Sequence, residues 1–308
     1  MKTQHIPGIT GSIPHAGPDR ETGRTGASLV AGGQGGRGKV ILAGAGPGDP
    51  GLITLKAAAY LQRAEVILAD RLVSGAIIKE HANPAAEIIF AGKEGRATAS
   101  VSQKSINALM AAYALRGRLV VRLKGGDVAF FSNVLDELLT LRQHRIPYEI
   151  IPGITAASGA SAYSGIPLTA RGYADGVRIL TYAGREDKPE AYWAELAAAE
   201  DTLVFYMSGG RLSALAGHLA RHHIPEEKAI AVIAQATTPY QEVHVLRFGD
   251  VVAGTAALPA FVSPMLIIIG KVVGLQEQFG WKKHAGIRAR YFRPAAGIQW
   301  KEQKTISI

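Results

Sequence analysis

The chain contains 308 residues, carries a formal net charge of +9 and has no cysteine. Its length allows roughly two domains, and the absence of cysteine excludes disulfides, iron–sulfur clusters and cysteine nucleophiles. No apolar run in the sequence approaches the roughly 18 residues that a membrane-spanning helix needs, and no apolar segment of signal-peptide type follows the N-terminus. We therefore expect a soluble cytoplasmic protein with no membrane partner.

The distribution of charge argues against a nucleic-acid-binding face. The positive excess lies at the two ends of the chain, residues 1–39 and 282–308, whereas residues 40–281 contain equal numbers of basic and acidic side chains. Nucleic-acid-binding proteins instead concentrate Lys and Arg on a folded face. We predict no nucleic-acid partner and interpret the C-terminal end as a solvated basic tail. Docking of that tail to a partner enzyme or to acidic lipid is the alternative.

Residues 1–37 are rich in Gly, Pro, Ser and Thr and lack apolar periodicity, which predicts a disordered leader. After the leader, residues 38–151 alternate short apolar runs with longer amphipathic segments, as expected for an α/β domain with a largely parallel sheet. The strands predicted here are 39–43, 66–69, a third that ends at Lys93, 119–123 and 148–151. The predicted helices are 54–64, one that Ser102 caps and Gly117 ends, and 133–144.

Pro152-Gly153 marks the boundary of a second α/β domain, residues 152–281, which the basic tail, residues 282–308, follows. The helices predicted in this domain are 155–164, 189–199 and 210–222, and the strands are 177–182, 202–206 and 229–234. No helix-length segment separates the last two strands, about 241–248 and 262–270. We therefore expect these two strands to form an antiparallel pair.

Two glycine loops follow predicted strands. The first, Gly44-x-Gly46-x-Gly48, departs from the dinucleotide fingerprint because its third glycine comes one residue early. Pro47 and Pro50 also remove N–H donors that a pyrophosphate needs, so a dinucleotide is disfavoured, and a turn without a ligand remains possible.

The second loop, Gly125-Gly126-Asp127, lies at a strand end, where α/β sheets bind ligands. Its glycines allow the backbone to approach a ligand closely. Asp127 would accept hydrogen bonds from a ribose or an ammonium group, or it would cap the following helix. The spacing alone does not decide between these two roles.

Charged residues also mark the strand ends. Asp70, followed by Arg71, ends the second predicted strand, and Lys93 ends the third. Charges at strand ends above a cleft suit acid–base chemistry, although these residues taken alone favour a solvated ion pair. His218 and His222 have the spacing of a metal pair, but no third ligand accompanies them. We predict no metal site.

A series of motifs along residues 39–275 resembles that of the uroporphyrinogen-III C-methyltransferases, within the wider tetrapyrrole methylase family, and has the same order along the chain. The motifs are Gly44-Ala-Gly-Pro-Gly-Asp-Pro-Gly-Leu-Ile-Thr-Leu-Lys56, Asp70-Arg-Leu-Val73, Gly92-Lys93, Val121-Arg-Leu-Lys-Gly-Gly-Asp127, Pro152-Gly-Ile-Thr155, Gly165-Ile-Pro-Leu-Thr169 and Thr237-Thr-Pro239. The resemblance implies two α/β domains with a cofactor cleft between them, in a homodimer. It further implies that S-adenosylmethionine methylates uroporphyrinogen III at C2 and C7, giving precorrin-2 for sirohaem and cobalamin biosynthesis and releasing S-adenosylhomocysteine.

The resemblance also implies roles for individual residues. Asp70 matches the proton acceptor of the family, and Lys93 matches the proton donor. The implied cofactor contacts are Pro47, Gly125, Gly126, Asp127, Phe130, Thr155, Ala156, Met207 and Ala236. Because the implied substrate is an octacarboxylate, cations should line its pocket. The candidate cations are Arg71, Arg122, Lys124 and Arg171.

Three places depart from the family pattern on the substrate side. Glu94 stands where the family usually has Arg, Ala99 stands where it usually has His, and Ala183-Gly184 stands where it usually has Gly-His. These changes remove a positive charge and two imidazoles. They leave open two alternatives: a methylase of another tetrapyrrole or corrinoid intermediate, and a cofactor-binding module without catalysis.

Overall fold

The computed structural model describes residues 38–91, 102–183, 188–225, 228–257, 259–283, 286, 289–292 and 300–301, all within one compact unit. The predicted leader, residues 1–37, lies outside these ranges, as do Lys93, Glu94 and Ala99. The described residues form an α/β structure with two sheets. No helix among them is both long enough and apolar enough to cross a membrane.

The first sheet, as far as the structure describes it, has six strands that all run parallel. Its strands are β1 (Lys39–Gly44), β2 (Val66–Ala69), β3 (Glu87–Phe90), β4 (Leu119–Lys124), β5 (Tyr148–Ile151) and β11 (Trp300–Lys301), in the spatial order β11-β3-β2-β4-β1-β5. The connecting helices are α1 (Leu55–Leu61), α2 (Gly75–His81), α3 (Gln103–Leu115) and α4 (Val134–Gln143). The parallel sheet predicted for this half is confirmed, although β3 ends at Phe90 rather than at Lys93.

Short polar side chains fix where helices α1, α2 and α3 begin. Thr54, Ser74 and Ser102 each accept a hydrogen bond from the backbone N–H three residues later, so each caps a helix. Helix α3 ends shortly before Gly117, whose φ of 84° suits only glycine well. The predicted boundaries of α3 are therefore confirmed.

The second sheet mixes parallel and antiparallel pairs. The described strands are β6 (Val177–Thr181), β7 (Thr202–Tyr206), β8 (Ala229–Ala234), β9 (Glu242–Leu246) and β10 (Met265–Gly270), in the spatial order β6-β7-β10-β8-β9. The accompanying helices are α5 (Ala156–Ser164), α6 (Glu190–Ala198), α7 (Leu212–Ala220), α8 (Phe248–Ala253) and α9 (Gln276–Phe279). Only β6 and β7 are parallel, so the expectation of a largely parallel sheet is wrong for this half.

The predicted pairing of the last two strands is also wrong. Strand β8 lies between β9 and β10 and pairs with both, and α8 occupies part of the connection between them. Strand β10 is buried along nearly its whole length, which suits a central strand, whereas most residues of β9 are only partly buried, which suits an edge. Apolar content therefore decides the strand order here, and proximity in the sequence does not.

Apolar side chains cover both faces of each sheet. In β1, Ile41 belongs to the hydrophobic cluster on one face, and Val40 and Leu42 belong to the cluster on the other. In the second sheet, Phe205 and its neighbour Val204 likewise belong to hydrophobic clusters on opposite faces. Because the faces are covered, the open positions for a ligand are the carboxyl ends of the parallel strands.

Candidate active site

A cavity of about 680 Å³ lies between the two sheets. Its wall includes residues that follow β1, β2 and β4 of the first sheet and β7 and β8 of the second. All nine residues that the resemblance assigns to the cofactor line this cavity. These are Pro47, Gly125, Gly126, Asp127, Phe130, Thr155, Ala156, Met207 and Ala236. The structure therefore brings together residues that are spread over 190 positions of the sequence.

The two glycine loops of the first half are joined by backbone hydrogen bonds. Gly46 N donates to Gly126 O over 3.0 Å, and Gly126 N donates to Gly46 O over 2.8 Å. A Cβ atom at Gly125 would lie 2.6 Å from Leu72 Cβ, so no side chain fits there. The loops thus form a fixed backbone surface on the cavity wall.

Asp127 holds these loops in place. Its Oδ2 accepts a hydrogen bond from Gly153 N over 2.8 Å, and its Oδ1 accepts one from Ala129 N over 2.7 Å. Helix α4 is instead preceded by Asn133 at its N-cap, so the helix-capping role considered for Asp127 is excluded. The carboxylate is largely buried, and it lines the cavity.

Asp70 follows β2 and places its carboxylate on the cavity wall. The carboxylate forms a salt bridge with Arg122, whose side chain is almost fully buried, rather than a solvated pair with its neighbour Arg71. Arg122 also donates through Nε to Glu137 over 2.8 Å and through Nη1 to the Leu68 carbonyl over 3.1 Å. The Asp70 carboxylate is therefore held in position by a buried cation of the neighbouring strand.

Glu137 joins a second buried cation to the same network. Lys124 Nζ lies 2.8 Å from Glu137 Oε2, and both side chains are inaccessible to solvent. Burial lowers the pKa of Arg122, but the charges of Asp70 and Glu137 outweigh it and keep that pKa above its ordinary value. Burial and the neighbouring charge of Arg122 lower the pKa of Lys124. The cluster contains two acids and two bases, so its charges balance.

The four candidate substrate cations occupy different places. Arg71 lines the cavity. Arg122 and Lys124 are buried against Glu137 and are not part of the cavity wall formed by the described residues. Arg171 is exposed and does not belong to that wall either. Their positions therefore favour Arg71 alone among the four as a substrate contact.

Among the residues of the cavity wall that the sequence did not single out are Arg211, Tyr206 and Phe131. Arg211 follows Ser208-Gly-Gly210, a glycine loop at the end of β7 that resembles the two loops already singled out. Tyr206 ends β7, and Phe131 packs its ring against the Tyr206 ring at a centroid distance of 5.1 Å. A search for glycine loops after every strand would have found Arg211.

Tyr206 fixes the start of helix α5 beside the cavity. Its hydroxyl accepts a hydrogen bond from Ala157 N over 2.7 Å and shares another of 2.7 Å with Thr155 Oγ1. Burial raises the pKa of this phenol. Because Thr155 makes no side-chain cap of its own, Tyr206 supplies the acceptor that the first turn of α5 needs.

The two histidines of metal-pair spacing have other contacts. The His218 ring stacks on Trp193 at a centroid distance of 4.6 Å, and His222 Nε2 lies 2.7 Å from Glu190 Oε2. Among the described residues, no group of three or more His, Asp or Glu side chains has a metal-binding arrangement.

Comparison with known proteins identifies the family. The family described as "Tetrapyrrole (Corrin/Porphyrin) Methylases" matches residues 39–252. A siroheme synthase of Acinetobacter baylyi is 44% identical over 245 residues, which cover 80% of this chain and 53% of that protein. A siroheme synthase of Neisseria meningitidis serogroup B is 43% identical over 244 residues, which cover 79% of this chain and 50% of that protein. The chain thus spans about half the length of these curated relatives.

Solved structures agree with this assignment. A uroporphyrin-III-C-methyltransferase from Thermus thermophilus is 35% identical, with a TM-score of 0.65 over 80% of this chain and 99% of that chain. A Thermus thermophilus structure of this enzyme complexed with S-adenyl homocysteine is 34% identical, with a TM-score of 0.65 over 77% of this chain and 100% of that one. A cobalt precorrin-4 methyltransferase is 26% identical, with a TM-score of 0.68 over 76% and 95% of the two chains. The chain belongs to the tetrapyrrole methylases.

Proposed function

We propose that this protein uses S-adenosylmethionine to methylate uroporphyrinogen III at C2 and C7, giving precorrin-2. One observation carries the proposal: the Asp70 carboxylate, held by Arg122, lies in the same cavity as the nine residues assigned to the cofactor. The likeness to the Thermus enzyme over nearly the whole of that chain supports the same reaction.

The cavity fits S-adenosylmethionine in size and in chemistry. Its volume of about 680 Å³ lies in the usual range for small-molecule sites. The glycine loops expose backbone groups to polar parts of a ligand, and Phe130, Met207 and Ala236 offer apolar surface to an adenine ring. When bound, S-adenosylmethionine supplies a methyl group that its sulfonium already activates. The residues of the chain therefore need mainly to align the acceptor and to handle charge.

We assign the handling of charge to Asp70. Transfer of a methyl group to a pyrrole carbon, with S-adenosylhomocysteine as leaving group, gives the pyrrole system a positive charge. Because the methylated carbon already carries a side chain and has no hydrogen, the charge is removed by loss of a proton from another atom of that conjugated system. A carboxylate at the cavity wall stabilises that charge and accepts the proton. Arg122 keeps the carboxylate in one orientation because it binds Asp70 from a fully buried position. Lys93, the proposed proton donor, lies outside the described residues.

The carboxylates of the substrate need cations at the cavity mouth. Arg71 and Arg211 both line the cavity. Arg71 comes after strand β2 of the first sheet, and Arg211 comes after strand β7 of the second. A guanidinium binds a carboxylate through two parallel hydrogen bonds, so each arginine suits one acidic side chain of the tetrapyrrole. We assign Arg71 and Arg211 to substrate binding.

Anaerobic turnover tests this proposal. The protein is incubated with S-adenosylmethionine and freshly reduced uroporphyrinogen III, and S-adenosylhomocysteine and the mass of the tetrapyrrole are followed. Two methyl additions that require this acceptor are the expected result. Binding of S-adenosylhomocysteine without methylated product would contradict the proposed substrate.

A later corrinoid intermediate is the second candidate acceptor. The likeness to the cobalt precorrin-4 methyltransferase supports it, because its TM-score of 0.68 exceeds that of the Thermus enzyme despite lower identity. Ala183-Gly184, which replaces the family's usual Gly-His, removes an imidazole that the resemblance assigns to the substrate side. A panel of corrinoid acceptors, assayed under the same conditions, distinguishes the two candidates by which acceptor gains mass.

We also propose a homodimer in the cytoplasm. Leu135 and Leu139 on α4 and Tyr148 and Ile150 on the edge strand β5 are large apolar side chains that are exposed in the single chain, as expected for an interface. The cysteine-free composition suits a reducing compartment. Light scattering coupled to size-exclusion chromatography measures the assembly directly. A mass equal to one chain would contradict the dimer.

A further inference from the structure

A short C-terminal segment, residues 289–292, lies against the second sheet although it falls outside the family match, which ends at residue 252. We name it the C-terminal strap. Gln235, a buried residue directly after β8, donates through Nε2 to the Ala289 carbonyl over 2.8 Å. Its Oε1 accepts a hydrogen bond from Tyr291 N over 2.8 Å. One amide side chain thus holds the strap backbone at two points.

The strap also contacts the first half of the molecule. The Tyr291 side chain interacts with that of Ser74, the residue that caps α2. Ser74 in turn donates to the Gly48 carbonyl in the first glycine loop over 3.2 Å. The Tyr291 ring packs edge-on against Tyr240 at a centroid distance of 6.1 Å. The strap therefore connects the two halves beside the cavity.

Phe292 is the residue of the strap that reaches the cavity itself. It is part of the cavity wall, and its Cζ lies 3.2 Å from the position that a Cβ on Gly48 would occupy. The same Cβ would lie 2.8 Å from Thr238 Cγ2. Gly48 follows Pro47, and Thr238 comes two residues after Ala236, so Phe292 lies beside two residues assigned to the cofactor.

We propose that Phe292 forms part of the S-adenosylmethionine site and that the C-terminal strap raises the affinity for this cofactor. The proposal rests on the proposed function. An aromatic ring at this position removes apolar ligand surface from water, and its face also attracts a cation such as a sulfonium. The strap thus supplies a wall that residues 39–252, the part matched by the family, do not contain.

Calorimetric titration of the full chain with S-adenosylhomocysteine tests the proposal. Phe292→Ala should raise the Kd about tenfold, because one ring-sized apolar contact is lost, and Phe292→Leu should have a smaller effect. The matched control is Phe279→Ala, which truncates an exposed phenylalanine on α9 that does not line the cavity. The control should leave the Kd within about twofold of the unmodified protein.

A second measurement does not depend on substituting the ring. Arg290 is exposed and precedes Tyr291, so trypsin has access to the strap at this bond. Bound S-adenosylhomocysteine should slow cleavage after Arg290 in the unmodified protein, because the ligand holds Phe292 in place. If Phe292→Ala and Phe292→Leu both fail to fold, this protection alone decides.

The outcomes separate the inference from the proposed function. The role of the strap would be overturned if folded Phe292→Ala had an unchanged Kd for S-adenosylhomocysteine, or if the ligand did not change the rate of cleavage after Arg290. Either result would leave the proposed function intact. An unmodified protein that fails to bind S-adenosylhomocysteine would overturn both.

Discussion

Arg122 binds Asp70 from the neighbouring strand. Leu68 of β2 and Arg122 of β4 are paired in the parallel register, so the guanidinium lies beside the chain two residues before Asp70. It binds the Leu68 carbonyl and the Asp70 carboxylate together. The orientation of a cavity-lining carboxylate is therefore set by a cation that has no access to solvent.

Replacing Asp70 tests its role in the reaction. Asp70→Asn preserves the size of the side chain but removes the charge and the proton-accepting oxygen, so kcat should fall by about 100-fold or more. Binding of S-adenosylhomocysteine should persist, because the nine cofactor residues are unchanged. Steady-state kinetics and calorimetry measure the two effects. Asp136→Asn, which removes an exposed carboxylate on α4, is the control. A kcat near that of the unmodified protein would favour the alternative of a non-catalytic module.

Replacing Glu137 tests the buried charge balance. Glu137→Gln leaves Lys124 without its anionic partner and weakens the hold on Arg122, so the free energy of unfolding should fall by about 3 kcal/mol. Urea denaturation measures the loss. Asp136→Asn removes the same charge one residue earlier, on the exposed side of the helix, and should change stability by less than about 1 kcal/mol. Equal losses in the two variants would contradict a structural role for the buried network.

Gly125 tests how tightly the glycine loop must pack. In Gly125→Ala the new methyl group would meet Leu72 Cβ at 2.6 Å and the Leu72 carbonyl at 2.8 Å, so the loop must shift. We expect a rise of about tenfold or more in the Kd for S-adenosylhomocysteine. Gly217→Ala on α7 is the control, because among the described residues no atom outside the backbone of the helix itself lies within 4 Å of its new methyl group. That substitution should stabilise the protein by about 0.5–1 kcal/mol. A Gly125→Ala protein with unchanged affinity would show that the loop position does not matter for binding.

The ionisation of Glu149 makes the free energy of unfolding depend on pH in the acid range. Hydrogen bonds from Lys39, Lys56 and Tyr60 lower the pKa of Glu149 from 4.5 to about 2. Because the folded pKa is the lower one, the stabilisation is complete above the unfolded value and is lost as the pH falls from 4.5 towards 2. The urea midpoint of the unmodified protein should exceed that of Glu149→Gln at neutral pH, and the gap should narrow at about pH 3. If the difference between the two urea midpoints did not change with pH, the stabilising interaction of the Glu149 carboxylate with Lys39 and Lys56 would be contradicted.

Local patterns in the sequence predict the first half of the fold well. Caps such as Ser102 and the stop at Gly117 depend on residues close in the chain, and the structure confirms them. The family resemblance implied the nine cofactor positions, and those that follow β1 and β4 lie together because parallel strands place their carboxyl ends at one edge. Strand order in the second sheet was not, since the central position of β10 follows from burial against both neighbours.

The errors at the site have a common physical cause. Arg122 and Lys124 lie near a strand end in the sequence and were therefore candidates for substrate binding. Their partner Glu137 comes 13 to 15 residues later, on a helix that packs over the sheet. The basic residues 282–308 predict a solvated tail, whereas Tyr291 is fixed by Gln235, which lies 56 positions earlier. Contacts between distant positions decided both cases, and composition does not contain that information.

The central place of β10 affects how the protein emerges from the ribosome. Strands β1–β5 are all made once residue 151 has been synthesised, whereas β7 and β8 lack their shared neighbour until residues 265–270 follow. Because nascent chains fold from the N-terminus as they are made, these five strands can pair while β7 and β8 each still lack a neighbour; among the described strands of the first sheet, only the two-residue strand β11 follows later. Until β10 has been made, the unpaired edges of β7 and β8 are therefore the sites at which the growing second sheet is open to pairing with another chain.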